Sequence, residues 1–339
     1  SGFLKPGGNH MKAAVIDQVG PPEAIVVREL PDPVAGPGEV LVRVRAAAVN
    51  PIDTYVRAGS VAMALPSPFI VGCDLAGEVV AVGAGVTAFK PGDRVWGSNQ
   101  GVLGRQGTCA ELGAVGAEWL YSTPAGVSDC DAAAAALVGI TAHLGLVHHA
   151  AVQPGETVLV NGASGAVGSM VIQLARLLGA RVVAVAGTDA GLERVRDLGA
   201  VALDRRKAGL TEAIAAACPT GVNLWWEALR EPDFDTAVGS LAENGRMILM
   251  AGRDARPPFP VGPFYVKQAR LLGFVMFKAA AEVQAAAAAD INSWLAAGSL
   301  RVPIGRVLPL AETAEAHRLQ EEATIHLAGP LAGKIVIEP

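Results

Sequence analysis

Apolar and polar residues alternate with a period of two along EVLVRVRAAAV at 39–49, AGEVVAVG at 76–83 and DRVWG at 93–97, the pattern of half-buried strands. Glycine and proline break the pattern from Met11 to about Asp129, and the turns at 35–40 and 90–95 launch strands, which predicts a compact β-barrel-like domain. From about Asp131 the rhythm changes. Apolar strands near 157–161, 181–186, 222–226, 246–251 and 271–275 alternate with helical segments, the signature of a parallel, doubly wound α/β sheet. The longest apolar run, 132–147, carries Thr141 and His143 and falls short of the roughly 18 to 20 apolar residues of a membrane span, so it reads as a buried helix. Beyond Phe277 an alanine-rich helix ends at Gly298, and VPIGRVLPL and GKIVIE read as strands that return to the first domain. There is no internal repeat.

Within the second region, VLVNGASGAVGSMVIQLA at 158–175 runs from an apolar strand through a glycine-rich turn into an amphipathic helix. Gly162, Gly165 and Gly168 fall where a backbone turns sharply, approaches a pyrophosphate and packs a helix on a strand. The first glycine of the usual G-x-G-x-x-G is Ala163 here, with Gly162 just before it, so the motif alone is weak. Its context strengthens it, because RVVAVAGT at 181–188 reads as the next strand of a βαβ unit. Ser164, Gly165, Ala166 and Val167 are the expected N–H donors to the pyrophosphate.

Composition narrows the partners. The 339 residues suit two domains, and 51% hydrophobic against 17% charged residues excludes extensive disorder. A net charge of -5, with no basic stripe, argues against nucleic acid or an anionic membrane as partner. Cys73, Cys109, Cys130 and Cys218 are scattered without C-x-x-C spacing, as reduced thiols of a cytoplasmic protein would be. The first ten residues, SGFLKPGGNH, have no apolar core and read as an added leader before MKAAVI at Met11.

Several separated motifs resemble the medium-chain dehydrogenase/reductase superfamily, in its zinc-independent quinone oxidoreductase branch that includes zeta-crystallin. They are AAAVNPIDTYVRAG at 46–59, VGCDLAGEVVAVGAGV at 71–86, KPGDRVWG at 90–97, GITAHLGL at 139–146, NGASGAVG at 161–168, AVAGTDAGLERVRDLGA at 184–200 and the closing GKIVIE. The resemblance implies an α/β protein with a GroES-like β-barrel catalytic domain and a Rossmann doubly wound parallel-sheet cofactor domain. The expected division is a leader at 1–10, the catalytic domain at 11–134 and 278–339, and the cofactor domain at 135–277. A homodimer, joined through an edge strand of the cofactor sheet, is also implied.

In zinc relatives the catalytic metal takes Cys, His and Cys, positions that match Asn50, Cys73 and Leu137 here, so no catalytic zinc is expected. The four-cysteine structural zinc lobe is not found near 98–109. Cys73 reads as a small buried residue. His148 and His149 close a helix, and no chemistry is assigned to them.

The implied reaction is hydride transfer from a nicotinamide to an electrophilic acceptor in a dry slot. Asn50 and Tyr55 match positions lining the nicotinamide end, as an amide and a phenol that hydrogen-bond acceptor or cofactor. Thr141, read as heading a helix, is a cofactor contact. Met250, Ala251 and Gly252 and then Phe274, Val275, Met276 and Phe277 follow later strands and complete the nicotinamide pocket. Lys334 matches the family's closing GK and reads either as a cofactor contact or as a surface residue. The loops at 59–69 and 98–109 are expected to shape the substrate pocket.

The end of the second strand, where an NAD enzyme places an acid, is Ala186 or Gly187, so a 2'-phosphate meets no repulsion there. Asp189 reads as the N-cap of the following helix. The lysine common in relatives is Gly191 here. Arg205 is the expected phosphate ligand, helped by Thr188, with Arg206 and Arg194 in reserve and Arg194 read as a solvated charge. The expectation is an NADPH-dependent quinone reductase. The alternatives are reduction of activated C=C bonds in enones or alkenals, or a cofactor-binding structural or RNA-binding role, against which the acidic charge speaks.

Overall fold

The computed structural model describes residues 9–326, 331 and 333–339, so residues 1–8 of the expected leader lie outside them. The chain divides into two compact units, Ser1–Leu137 with Ala288–Pro339, and Val138–Ala287.

The first unit begins with β1 (His10–Ile16), β2 (Val26–Pro31), β3 (Glu39–Val49), α1 (Pro51–Arg57), β4 (Phe69–Ile70), β5 (Leu75–Val82), β6 (Arg94–Gly97), β7 (Leu112–Gly116) and β8 (Leu120–Ser122). Helix α2 (Asp129–His143) continues as a wider helical turn, Leu144–His149. Among the described residues this stretch, Asp129–His149, is the one long and apolar enough to cross a membrane, and 78% of its apolar window is buried in the protein.

The second unit alternates strand and helix: β9 (Thr157–Asn161), α3 (Ala166–Leu177), β10 (Arg181–Ala186), α4 (Asp189–Asp197), β11 (Val201–Asp204), α5 (Leu210–Ala217), β12 (Val222–Glu227), α6 (Phe234–Ser240), β13 (Leu241–Leu249), α7 (Val261–Val266) and β14 (Arg270–Gly273). α8 (Ala281–Ala296), β15 (Ile304–Pro309), α9 (Thr313–Glu321) and β16 (Lys334–Glu338) follow.

The sequence pattern explains the layers. In β3, Val40, Val42 and Val44 are buried while Arg43 and Arg45 face out, and the change to continuous burial at Ala46–Val49 comes where β16 replaces β7 as a partner of β3. The first unit's larger sheet runs β15-β16-β3-β5-β6-β8 with β7 also on β3, and β16 pairs antiparallel with Ile335 opposite Val49. A smaller sheet has the order β2-β1-β4. Helix α1 packs on α9, where Arg57 is buried and pairs with Glu321. Beneath them His317 is wholly buried, neither ring nitrogen is hydrogen-bonded among the described residues, and burial together with Arg57 pushes its pKa down to about 3.

The second unit's strands are apolar on both faces because helices cover both sides of the sheet. The order is β11-β10-β9-β12-β13-β14, all parallel, which reverses direction at β9 and β12. β11 is an additional short edge strand beyond the five read from the apolar runs. Register aligns the carboxyl ends of neighbouring strands, so the residues following them share one end of the sheet. At the opposite end Arg246 ties three elements together. Its guanidinium, buried with the residue, donates to both carboxylate oxygens of Glu156 at 2.7 and 2.8 Å and to the carbonyls of Ala150 and Asn223.

Candidate active site

The glycine-rich turn lies at the carboxyl end of β9, beside the reversal point where ligands of such sheets bind. Gly162 has φ +81, a conformation other L-residues resist, and its α-carbon faces Ala228 and Leu229 after β12. A side chain on Gly168 would come within 2.8 Å of the Ala163 α-carbon, so glycine is what lets α3 close on the turn. Space over Gly165 is open: a β-carbon there would meet only the Gly162 carbonyl, at 3.6 Å. Gly165 is the N-cap of α3, and the first-turn N–H groups of Ala166 and Val167 have no helical acceptor, the arrangement that a diphosphate cradle requires. Gly165 itself turns its N–H back to the Gly162 carbonyl at 3.3 Å, so it is a poorer donor than expected.

The next strand end holds an open cation. The Arg205 guanidinium lies over Gly187, so close that a β-carbon on Gly187 would come within 2.7 Å of Cζ. Its backbone N–H donates to the Ala186 carbonyl, and among the described residues its guanidinium has no hydrogen-bond or ion-pair partner. Arg206 differs: it is bound by Asp204, on both carboxylate oxygens, and by Asp189. This removes Arg206 as a reserve phosphate ligand.

Two expectations near this end change. The N-cap of α4 is Thr188, whose Oγ1 accepts from the Gly191 N–H at 3.0 Å, and Asp189 sits one residue inside the helix. Arg194 is half-buried and donates to the Ser164 carbonyl at 2.9 Å, so it braces the glycine turn rather than standing in solvent. Gly191 packs against Ser164, whose β-carbon would lie 3.0 Å from any side chain's first carbon at that position.

Of the later strand ends, Met250 donates its N–H to the Glu227 carbonyl, while Ala251 and Gly252 follow in an exposed turn with Gly252 at φ +79. Phe274 stacks on His149 at 4.4 Å, Val275 is exposed and Phe277 half-buried. Met276 is packed into the core, 4% exposed in a short helical turn. Thr141 sits in the last turn of α2 rather than at a helix start, because Ser128 and Asp131 set the beginning of that helix twelve or so residues earlier. Glu227, missed in the sequence, ends β12 fully buried and accepts from Asn161, Trp225 and the Leu229 N–H; burial raises its pKa. Its signal was a single acid closing the apolar run VNLWWE.

In the first unit, Asn50 caps the start of α1 and is wholly buried. Both amide hydrogens are engaged, with Asp74 Oδ2 at 2.8 Å and the Ala48 carbonyl at 3.2 Å, and its Oδ1 accepts from the Lys334 ammonium. The amide therefore has no donor left for an acceptor molecule, which corrects the expectation that Asn50 acts on substrate directly. Lys334 is likewise no surface residue: it is 3% exposed, and Nζ also donates to the Val49 carbonyl at 2.8 Å.

Asp53 and Asp74 complete this buried cluster. Asp53 accepts the Asn50 N–H at 2.7 Å, and burial pushes its pKa up to about 7 despite the neighbouring Cys73 thiol and Lys334. Burial also raises Asp74 and lowers Lys334, each opposed by the other's charge. The spacing of Asn50 and Asp53 is that of a capping box, and Asp74 is the lone acid of VGCDLAG; both signals were present in the sequence. Cys73 and Cys109 are buried, with thiol pKa values raised by burial. Tyr55 projects from the second turn of α1 and is half-buried; its backbone carbonyl accepts from Ser60 and Val61, anchoring the 59–69 loop. A 210 Å³ cavity opens along that loop, lined by Val19, Met63, Leu65 and Phe69 among others.

Comparison with known proteins agrees with this architecture. The family model described as alcohol dehydrogenase GroES-like domain matches residues 36–154, and the one described as zinc-binding dehydrogenase matches residues 166–292. Quinone oxidoreductase of Homo sapiens is 31% identical over 337 residues, covering 98% of this chain and 99% of that protein. An alcohol dehydrogenase superfamily protein from Novosphingobium aromaticivorans superposes with a TM-score of 0.86 at 33% identity, covering 97% of this chain and 99% of the other. The mycobacterial protein Rv1454c complexed with NADPH superposes with a TM-score of 0.82 at 30% identity, covering 97% and 100%. Fold and nucleotide cradle define a nicotinamide-type oxidoreductase. The chain belongs to the medium-chain dehydrogenase/reductase superfamily, alongside zeta-crystallin-like quinone oxidoreductases.

Proposed function

We propose that the enzyme is a cytoplasmic NADPH-dependent quinone reductase that works without zinc. Arg205 carries the reading: a guanidinium that is unpaired among the described residues and lies over a small residue at the second strand end suits a 2'-phosphate, and the nearby acids Asp189 and Asp204 are bound to Arg206. The NADPH complex of one structural neighbour and the names of the full-length relatives support the same choice.

The donor set does not suit a catalytic zinc. Of the matched positions, Leu137 has no ligand atom, Asn50 has its amide engaged, and Cys73 holds its proton in a buried site. Among the described residues no three His, Cys, Asp or Glu side chains converge as a metal site. A bound nicotinamide cofactor fits better. The first-turn N–H groups of α3, with Ser164, would hold its diphosphate, Arg205 its 2'-phosphate, and the segments after β13 and β14 its nicotinamide. When bound, the cofactor supplies the hydride. The protein's part is to orient a quinone and to offer its oxygen the Tyr55 phenol proton, since a quinone ring is electron-poor enough to need no Lewis acid.

Among the described residues β14 is an edge of the second unit's sheet without a further partner strand, with Leu271 exposed on it and Tyr265 and Val266 exposed on the adjoining segment. Pairing of this edge with a second copy would cover both the strand and the apolar residues. Light scattering should give twice the chain mass.

The test is oxidation of NADPH and NADH by the purified enzyme with panels of benzoquinones, naphthoquinones and enones. Turnover with NADPH and quinones is expected. Turnover with enones alone would replace the quinone reading, and absence of cofactor oxidation with every acceptor would end both.

A further inference from the structure

Asn50 stands between a cation and an anion that do not touch. Lys334 donates to its Oδ1 and Asp74 accepts from its Nδ2, yet among the described residues Lys334 forms no direct ion pair with Asp74 or Asp53. An amide is the side chain of this length that offers an acceptor to an ammonium and a donor to a carboxylate at once. All three residues are buried, at 3% exposure or less. They come from three places: Lys334 from the first position of β16, Asp74 from just before β5, and Asn50 from the junction of β3 and α1. The second Lys334 bond, to the Val49 carbonyl, holds the residue before Asn50, and Asp53 holds the Asn50 N–H. The junction is thus gripped at the Val49 carbonyl, both ends of the Asn50 amide and the Asn50 backbone nitrogen.

We propose that Lys334 is a positioning residue: with Asp74 it clamps the Asn50 amide, which fixes the start of α1 and thereby the placement of Tyr55 five residues further on. The proposal rests on the reading of Tyr55 as the proton donor. Lys334 has no role on the substrate or the cofactor in this arrangement. Helix α1 is only seven residues long, so its direction depends on how its first residue is held. Loss of the ammonium leaves the Asn50 Oδ1 and the Val49 carbonyl without their donor and leaves two buried carboxylates without a counter-charge. The junction must then rearrange, and the phenol moves with it.

A double-mutant cycle on the full-length enzyme tests this, with Lys334→Met, Tyr55→Phe and both together, measured with NADPH and one quinone. Lys334→Met is expected to lower kcat per folded enzyme about tenfold, the size of effect a sub-ångström misplacement of a reacting group produces, with KM for NADPH changed less than about twofold. The double variant should be no worse than about twofold below the weaker single variant, because a misplaced phenol and an absent one fail in the same way. Multiplied effects would overturn the positioning role while leaving Tyr55 as donor. A normal kcat for Tyr55→Phe would overturn the donor reading and the proposal together. A Lys334→Met enzyme that melts earlier but keeps its kcat would show a merely structural lysine. Should Lys334→Met not fold, Asn50→Ser takes its place in the cycle, since serine still caps α1 and keeps the N–H for Asp53 but cannot bridge Lys334 to Asp74. A wild-type kcat in Asn50→Ser would overturn the proposal.

Discussion

If Arg205 holds the 2'-phosphate as proposed, replacing it by alanine should yield an enzyme that treats NADPH and NADH nearly alike. The magnitude follows from the surroundings of the guanidinium. It has no partner to surrender among the described residues, because Asp189 and Asp204 are both held by Arg206, so contact with a phosphate is a net gain. A hydrogen bond to a charged group contributes about 1.5 to 3 kcal/mol, and exposure to solvent places Arg205 at the lower part of that range. About 1.4 to 2 kcal/mol corresponds to roughly a 10- to 30-fold rise in KM for NADPH. KM for NADH should move less than about twofold and kcat hardly at all, since the phosphate contact is the same in ground and transition states. The wild-type KM for NADPH should also rise with salt more steeply than that of the variant. Gly187→Ala provides an independent handle: its new methyl would press on the Arg205 guanidinium, which is flexible enough to move aside, so NADPH preference should fall part of the way with little loss of stability. Initial rates at saturating quinone with each cofactor decide the matter. Equal changes for NADPH and NADH, or no change in either, would refute the assignment of Arg205.

Arg246→Ala should destabilise the second unit by about 3 to 5 kcal/mol in urea unfolding, because it strands the Glu156 carboxylate and two carbonyls at a largely buried site. Although burial alone would raise the Glu156 pKa, Arg246 leaves it lowered, so the pair stabilises above the ordinary glutamate range and is lost as pH falls through the lowered value; the variant should lack that acid-side loss. His317→Phe should give a comparison of the same sign: the wild-type histidine refuses its proton down to about pH 3 while the unfolded chain accepts one near 6.5, so the wild type should lose about 1.4 kcal/mol per pH unit across that window relative to the variant. Parallel acid limbs for the two proteins would contradict the burial of an unpaired imidazole. Cys73 and Cys109 should resist maleimide in the native enzyme and react after unfolding, which mass spectrometry of the labelled peptides reads directly.

What the sequence made legible follows from how local each signal is. The strands at Thr157–Asn161 and Arg181–Ala186 were readable to the residue, since buried parallel strands are short apolar runs bounded by turn residues. β11 was harder to see because an edge strand of four residues carries little apolar pattern. Thr188 and Asp189 are both good caps by type, and only the backbone decides which one precedes the helix. Thr141 was displaced for a similar reason: α2 is alanine-rich and apolar throughout, so its pattern does not mark where it begins. The buried cluster lay furthest from local reading. Lys334 and Asn50 are 284 positions apart, and nothing in the spacing of either announces that a strand pairing will bring them together.

The split first unit also sets an order of assembly. The whole of Val138–Ala287 is contiguous, so its parallel sheet can form from neighbouring βα pieces while the remainder of the chain is still being made. The end of β3 at Ala47–Val49, by contrast, waits for β16, nearly three hundred residues later, before it is covered, while β5 and β7 pair with the first part of the strand. Until then Val49 and Asn50 stand at an open strand edge with a carbonyl and an amide oxygen unserved. A nascent or clipped chain ending before residue 334 would therefore be able to hold a nucleotide in a finished second unit while its first unit kept an exposed, adhesive flank. Catalytic competence and protection from edge-to-edge aggregation would arrive together, with the docking of one five-residue strand.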